Sequence, residues 1–428
     1  MNLCSVSACL RIFVLAGLLA AAASTARAAD WPRFRGPNGT GISTDAGVPI
    51  EIGETTNLLW KVEIPGSGNS SPIVSQRRIF LQTAGDDGSG RLLLCLDLAD
   101  GKQLWSKPAP GGTAEKHKKN TLASCSAAAD GARVYMPFWD GHNLSVSAYD
   151  FDGKPAWTRD LGPFTAQHGA GHSPIVVSGK VILANDQDGL SELVALDAAS
   201  GNVAWKTPRK PFKCNYSTPL LLERAGEAPE VLVTSTDGVS GYDVATGLEK
   251  WRWVWESNNL QLRIVGSPIV SQEMVFFSGG NGPGARHAVA VNLRKKGTAA
   301  RADLAWETRK LLPYVPGMLA RGEHLYFIND GGIAGCCVAK TGKVVWEKRL
   351  PCGDVTASPI MVEDRIYAFS EKGEVCVIAA EPTFALLASA KLDEGVMASP
   401  AVADGRLLVR GKGHLYCFGN KETKPAAK

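Results

Sequence analysis

The stretch Cys95-Leu96-Asp97-Leu98-Ala99-Asp100-Gly101-Lys102-Gln103-Leu104-Trp105 recurs almost unchanged at Ala195 to Trp205 and at Gly241 to Trp251. Each copy reads small-x-Asp-x-x-(Thr/Ser/Asp)-Gly-x-x-x-Trp. A shorter copy runs from Ala148 to Trp157. Cys336 to Trp346 has Val338 where Asp is expected, and Ala290 to Trp306 carries an insertion. Gly373 to Leu387 keeps the shape without its Trp, and His414 to Phe418 begins an eighth copy. The Trp residues at 60, 105, 157, 205, 251, 306 and 346 are 40 to 55 apart, the period of a four-stranded propeller blade. The glycine gives a tight turn access to positive φ, and the Trp offers a broad apolar surface for packing between blades.

A second marker precedes each copy: Ser71-Pro72, Ser173-Pro174, Thr218-Pro219, Ser267-Pro268, Ser358-Pro359 and Ser399-Pro400, with Ser124-Cys125-Ser126 and Pro316-Gly317-Met318 in the two remaining places. Proline is tolerated as the first residue of a strand, so each marker opens a short strand. A second strand follows, as in Arg78 to Leu81 and Arg365 to Ala368. The small-x-Asp segment is the third strand and the Trp segment the fourth. Asn57 to Val62 supplies the Trp strand missing from the last copy, so the N-terminal strand closes the ring and removes exposed sheet edges. The expected fold is all-β: a single eight-bladed β-propeller with four-stranded blades over residues 57–419.

The rest of the chain is divided accordingly. Residues 1–28 read as a signal peptide, with Arg11, an apolar run from Ile12 to Ala23 and Ala26-Arg27-Ala28 as a small-x-small cleavage site. Residues 29–56 form an N-terminal extension and 420–428 a flexible tail. Cys4 and Cys9 precede the apolar run, so neither is placed for a lipid anchor. No later stretch reaches the roughly 20 apolar residues of a membrane helix. The mature chain is expected to be periplasmic or otherwise exported, soluble and monomeric. Without residues 1–28 it carries 44 basic and 42 acidic side chains, which gives no basic face for nucleic acid.

These repeats resemble those of the quinoprotein alcohol dehydrogenase-like superfamily, which includes pyrroloquinoline quinone (PQQ) enzymes and the outer-membrane assembly factor BamB. Asp30-Trp31-Pro32-Arg33-Phe34-Arg35-Gly36-Pro37-Asn38-Gly39-Thr40-Gly41 is similar to the opening of a planctomycete-type group of PQQ-like repeat proteins. The same resemblance extends to Glu115 to Asn120, to Asp160 to Pro163 and to His168 to His172. It implies either a scaffold or a dehydrogenase using PQQ and Ca²⁺.

With the Ser-Pro strands innermost, the residues just before them form a polar ring at one channel mouth: Asn69, Asn120, His172, Asn215, Arg263, Tyr314, Asp354 and Glu394, with His168 nearby. Such a concave mouth suits a protein or a small polar ligand. His168 and His172 flank glycines without an acidic third ligand, so no metal site is expected. A PQQ enzyme needs a carboxylate base and Glu, Asn and Asp oxygens around Ca²⁺, and no such set aligns. The vicinal Cys336-Cys337 resembles the disulfide of some PQQ dehydrogenases, but Cys336 falls at the small position shared with Cys95, Ala148, Ala195, Gly241, Ala290, Cys376 and Cys417. Export would permit a bridge at Cys336-Cys337 or one involving Cys352. Nucleophile-elbow, phosphate-loop and His-Glu-x-x-His motifs are absent. The expectation is an exported binding scaffold with no cofactor, and a PQQ/Ca²⁺ dehydrogenase is the alternative.

Overall fold

Each repeat folds back on itself three times, and eight such sheets stand around a central channel. The computed structural model describes residues 30–211, 213–256, 262–282, 284–293, 302–310 and 312–420. The expected signal peptide and most of the tail lie outside these residues.

Blade 1 shows the common order: Ile73–Ser75 innermost, then Arg78–Thr83, Arg91–Asp97 and Gln103–Ala109, all antiparallel. Blades 2 to 7 begin with Ala128–Ala129, Ile175–Val177, Leu220–Leu222, Ile269–Ser271, Leu319–Arg321 and Ile360–Val362. Blade 8 takes Ala401–Ala403, Arg406–Arg410 and His414–Phe418 from the C-terminal end and Leu58–Glu63 from the N-terminal end. Trp60 stands opposite Cys417 and Lys61 opposite Tyr416, so ring closure occurs as the repeat demands. Lys61 Nζ lies 2.5 Å from Asp393 Oδ2, which ties the closing strand to the connection between blades 7 and 8.

The small position and the Trp face one another across adjacent strands in seven blades, as in Cys95 with Trp105, Ala195 with Trp205 and Cys336 with Trp346. A bulge beside the pair turns the indole toward the next blade. There its N–H donates to a turn carbonyl: Trp60 to Leu98 (3.3 Å), Trp105 to Phe151 (2.8 Å), Trp157 to Ala198 (3.0 Å), Trp205 to Val244 (3.1 Å), Trp306 to Ala339 (2.7 Å) and Trp346 to Glu381 (3.0 Å). Trp251 departs from this. Its partner across the strands is Gly241, and in the space a side chain would fill the indole reaches Glu230 Oε2 of its own blade at 2.6 Å. Trp255, farther along, packs against Phe277 of blade 5.

Residues 30–43, within the N-terminal extension, pack against the inner strands of the propeller. They enter the channel from the end opposite the Ser-Pro markers, where Trp31 bridges Val74 and Pro32 accepts the Ala129 N–H. Arg33 donates to Pro219 O (2.5 Å), Arg35 to Met318 O (2.6 Å), and Asn38 exchanges two hydrogen bonds with Leu221. The segment then leaves along blade 7, with Ile42–Ser43 parallel to Met361–Val362. One short stretch thus touches five inner strands or their leading residues and plugs one end of the channel. Among the described residues no helix is long and apolar enough to cross a membrane.

Candidate functional site

At the marker end the channel opens into a cavity of about 720 Å³, with Phe34 of the plug among its lining residues. Its wall is built first from the markers themselves. Ser71, Ser126, Ser173, Thr218, Ser267, Ser358 and Ser399 all line it.

These residues also link the blades. The Ser399 N–H donates to Ser71 Oγ (2.9 Å), Ser71 N–H to Ser126 Oγ (2.9 Å) and Ser126 N–H to Ser173 Oγ (3.0 Å). On the other side Thr218 N–H donates to Ser267 Oγ (3.2 Å), Gly317 N–H to Ser358 Oγ (2.9 Å) and Ser358 N–H to Ser399 Oγ (3.0 Å). An inner strand's leading N–H has no ladder partner of its own, so a neighbour's hydroxyl satisfies it. The eighth position is Gly317, where an added Cβ would lie 1.2 Å from Arg35 Nη1. The guanidinium of the plug therefore takes the space of the missing side chain.

Above this ring stand residues from the two connecting stretches that depart from the bare repeat. His117 and His168 meet edge to face at 4.9 Å between ring centroids. Asn120 donates to His168 O (2.6 Å) and Ala170 O (3.1 Å), which clamps the two loops together. Gly169 has φ +79°, and a Cβ there would press on Asn120, Lys116 and Trp139. Burial, followed by the charges of Arg263 and His117, holds His168 below the usual imidazole range. Lys119 reaches across to Glu371 of blade 7 at 2.5 Å, and Thr356 donates to the same carboxylate oxygen at 2.6 Å.

Of the residues expected at the mouth, Asn69, Asn120, His168, Tyr314 and Asp354 line the cavity. His172, Asn215 and Arg263 are turned into the wall instead, because their side chains serve the packing between blades 2, 3, 4 and 5. His172 is buried between Phe164 and Tyr216, bonds Asp186 O at 3.0 Å, and is held below the usual imidazole range by burial. Asn215 accepts the Ile264 N–H and donates to Lys213 O. Arg263 donates to Gln167 Oε1 at 2.6 Å. Glu394 accepts from Gly413 N–H and lies 2.9 Å from His414 Nδ1.

The pattern gave no sign of Phe34, Arg286 or Asp330, which complete the cavity. Arg286 sits 5.0 Å over the Tyr314 ring and 3.8 Å from Asp330, whose carboxylate also accepts the Tyr314 and Val315 N–H groups. Asp330 lies in the turn between the second and third strands of blade 6, away from the position just before the marker.

The matching family is described as outer membrane protein assembly factor BamB, and its model matches residues 42–144, 142–296 and 297–425. The chain belongs to this family. In structure it is similar to BamB from Moraxella catarrhalis, at 16% identity and a TM-score of 0.60, over 86% of this chain and 98% of that one. It is also similar to a quinohemoprotein alcohol dehydrogenase from Comamonas testosteroni, at 14% identity and 0.62, over 93% of this chain and 82% of that one. Sqt1 from Saccharomyces cerevisiae scores 0.63 at 13% identity, over 86% and 100%. Identities this low establish the fold alone. Against curated protein sequences the chain has no match.

The dehydrogenase neighbour raises the question of PQQ and Ca²⁺. Among the described residues no group of three His, Cys, Asp or Glu side chains converges to hold a metal. In the cavity Asp330 is already committed to Arg286 and two backbone N–H groups. Cys336 and Cys337 are free thiols buried in two different core clusters, away from the cavity. The donor set does not fit a calcium-bound quinone.

Proposed function

We propose that this family member is an exported binding scaffold that uses the mouth face to hold a protein segment or a small polar ligand, without chemistry of its own. The observation that carries this reading is the one-ended cavity of about 720 Å³, within the size range of ligand sites. The plug makes it a cup rather than a tunnel. Arg286, Tyr314, Asp330, His117 and His168 converge on that cup from five separate segments of the chain. The BamB likeness supports a scaffold by analogy of fold.

The face can be tested by placing a photo-crosslinking residue at Lys118, on the cup, or at exposed Asp100 in a turn of the opposite face. The scaffold reading expects a partner or ligand adduct from position 118 and none from 100. Equal adducts from both positions would refute the face assignment. Titration with PQQ and Ca²⁺, followed by dye-linked alcohol oxidation, tests the dehydrogenase alternative. Saturable binding with dye reduction would replace the scaffold reading.

A further inference from the structure

Around the cup lie three guanidinium groups with no carboxylate near them, two at the plug that forms its floor and one behind its wall. Arg35 is fully buried and hydrogen-bonds only to Thr40 O and Met318 O, leaving Nε and Nη1 without partners. Arg33, on the other side of Phe34, donates to Pro219 O and leaves Nε unpartnered. Arg410 donates to Ser70 O and Gln82 O and leaves Nε and Nη2 unpartnered. Ser70 sits between Asn69 and Ser71, both in the cup wall. Burial draws Arg33 and Arg410 down to about 9 and Arg35 to about 10, with no carboxylate acting in the other direction. All three still carry their charge at neutral pH.

Buried charges are normally paired, because an unpaired one forfeits its hydration. Three unpaired cations around one cavity therefore leave a positive field with no counter-charge from the protein. The ring adds to this. Six of its hydroxyl oxygens accept a neighbour's N–H, and among the described residues none gives its own proton to a protein acceptor. Those protons are free to point at a ligand in the cup. The acids nearby do not cancel the field: Asp330 is paired with Arg286, Glu371 with Lys119, and Asp354 is exposed at the rim.

We infer that the cup takes a small organic acid, its carboxylate turned to the serine ring and the plug. This rests on the cup being a binding site. The hydroxyls make the contacts, and the three guanidiniums act through their field without touching the ligand.

The test is calorimetric titration of acetate, succinate and citrate, with glucose as the neutral probe, into the mature chain and its variants. At least one acid is expected to bind. Arg35→Met should weaken it about tenfold or more, the size expected of one nearby charge at an effective dielectric of about 20, and Arg35→Lys should retain most of the affinity. Ser399→Ala, which leaves the plug intact, should weaken it several-fold through one lost donor, which keeps the test open if Arg35→Met does not fold. Met397→Trp, which fills the cup, should abolish binding. No heat from any acid, or equal affinity in Arg35→Met and wild type, overturns the inference. Glucose binding that Met397→Trp blocks, with no acid binding, overturns the acid but leaves the cup as the site. Acid binding that survives Met397→Trp overturns both.

Discussion

Substituting one turn glycine tests whether the indole contact between blades is as close as the geometry requires. Gly201 has φ +71°, and a Cβ there would lie 2.5 Å from Trp157 Cδ2 and 2.6 Å from Cε3 of the preceding blade. Gly179, in the same blade, has φ +68° and nothing within 4 Å of its Cβ position. Gly179→Ala therefore carries only the left-handed backbone penalty, about 1–2 kcal/mol. Gly201→Ala carries the same penalty plus overpacking against a ring held by its bond to Ala198 O, about 1–3 kcal/mol more. In the Trp157→Ala background the second part should vanish, so the cost of Gly201→Ala falls back to that of Gly179→Ala. Urea unfolding monitored by far-UV circular dichroism reads all four variants against wild type. Equal losses for the two alanines, or an undiminished Gly201→Ala cost without Trp157, would refute the contact.

Other consequences are equally direct. Gly317→Ala puts a Cβ where Arg35 Nη1 lies, so limited proteolysis should cut residues 30–43 in that variant while the remaining propeller stays resistant; wild-type resistance in both regions would contradict the plug. His172 is held neutral by burial. Its folded pKa lies below the unfolded value near 6.5, so its contribution to stability is complete above about pH 6.5 and declines as the pH falls below it. His172→Gln should flatten that acid limb of the urea midpoint, and an unchanged slope would count against the assignment. All eight cysteines among the described residues are free and buried, with Cys125 and Cys337 pushed up to about 12 by burial. Iodoacetamide should leave these eight unmodified in the native protein and label all of them on unfolding without reductant; any that stay unlabelled would reveal a bridge.

The blade count and closure were legible because their determinants are local. The Asp97 to Trp105 run contains the turn of a hairpin and the strand ends that flank it, and the eight small positions align by counting. The serines of the markers were visible as strand openings only. That six of these hydroxyls receive the N–H of the preceding blade, 41 to 55 residues away in sequence and 328 for Ser71, follows from the closed ring and not from any one repeat. The plug was legible as a distinctive string, yet its meaning depends on Arg33 and Arg35 reaching carbonyls 186 and 283 residues away. The position just before a marker does not fix a side chain's direction. Asn69 and Asp354 face the cup from it, while His172, Asn215 and Arg263 face the wall because aromatic and backbone partners of blades 2 to 5 claim them. Trp251 shows the same limit on a smaller scale, since glycine at the opposed position let the indole turn back into its own sheet.

The measurement closest to the central claim is ligand retention. The chain and its Met397→Trp variant would be incubated with a small-molecule and peptide extract of the producing cells, gel-filtered, and analysed for bound species by mass spectrometry. The account predicts a discrete species that travels with the wild type and is missing from the variant. The same species retained by both, or none by either, would contradict a binding role for the cup.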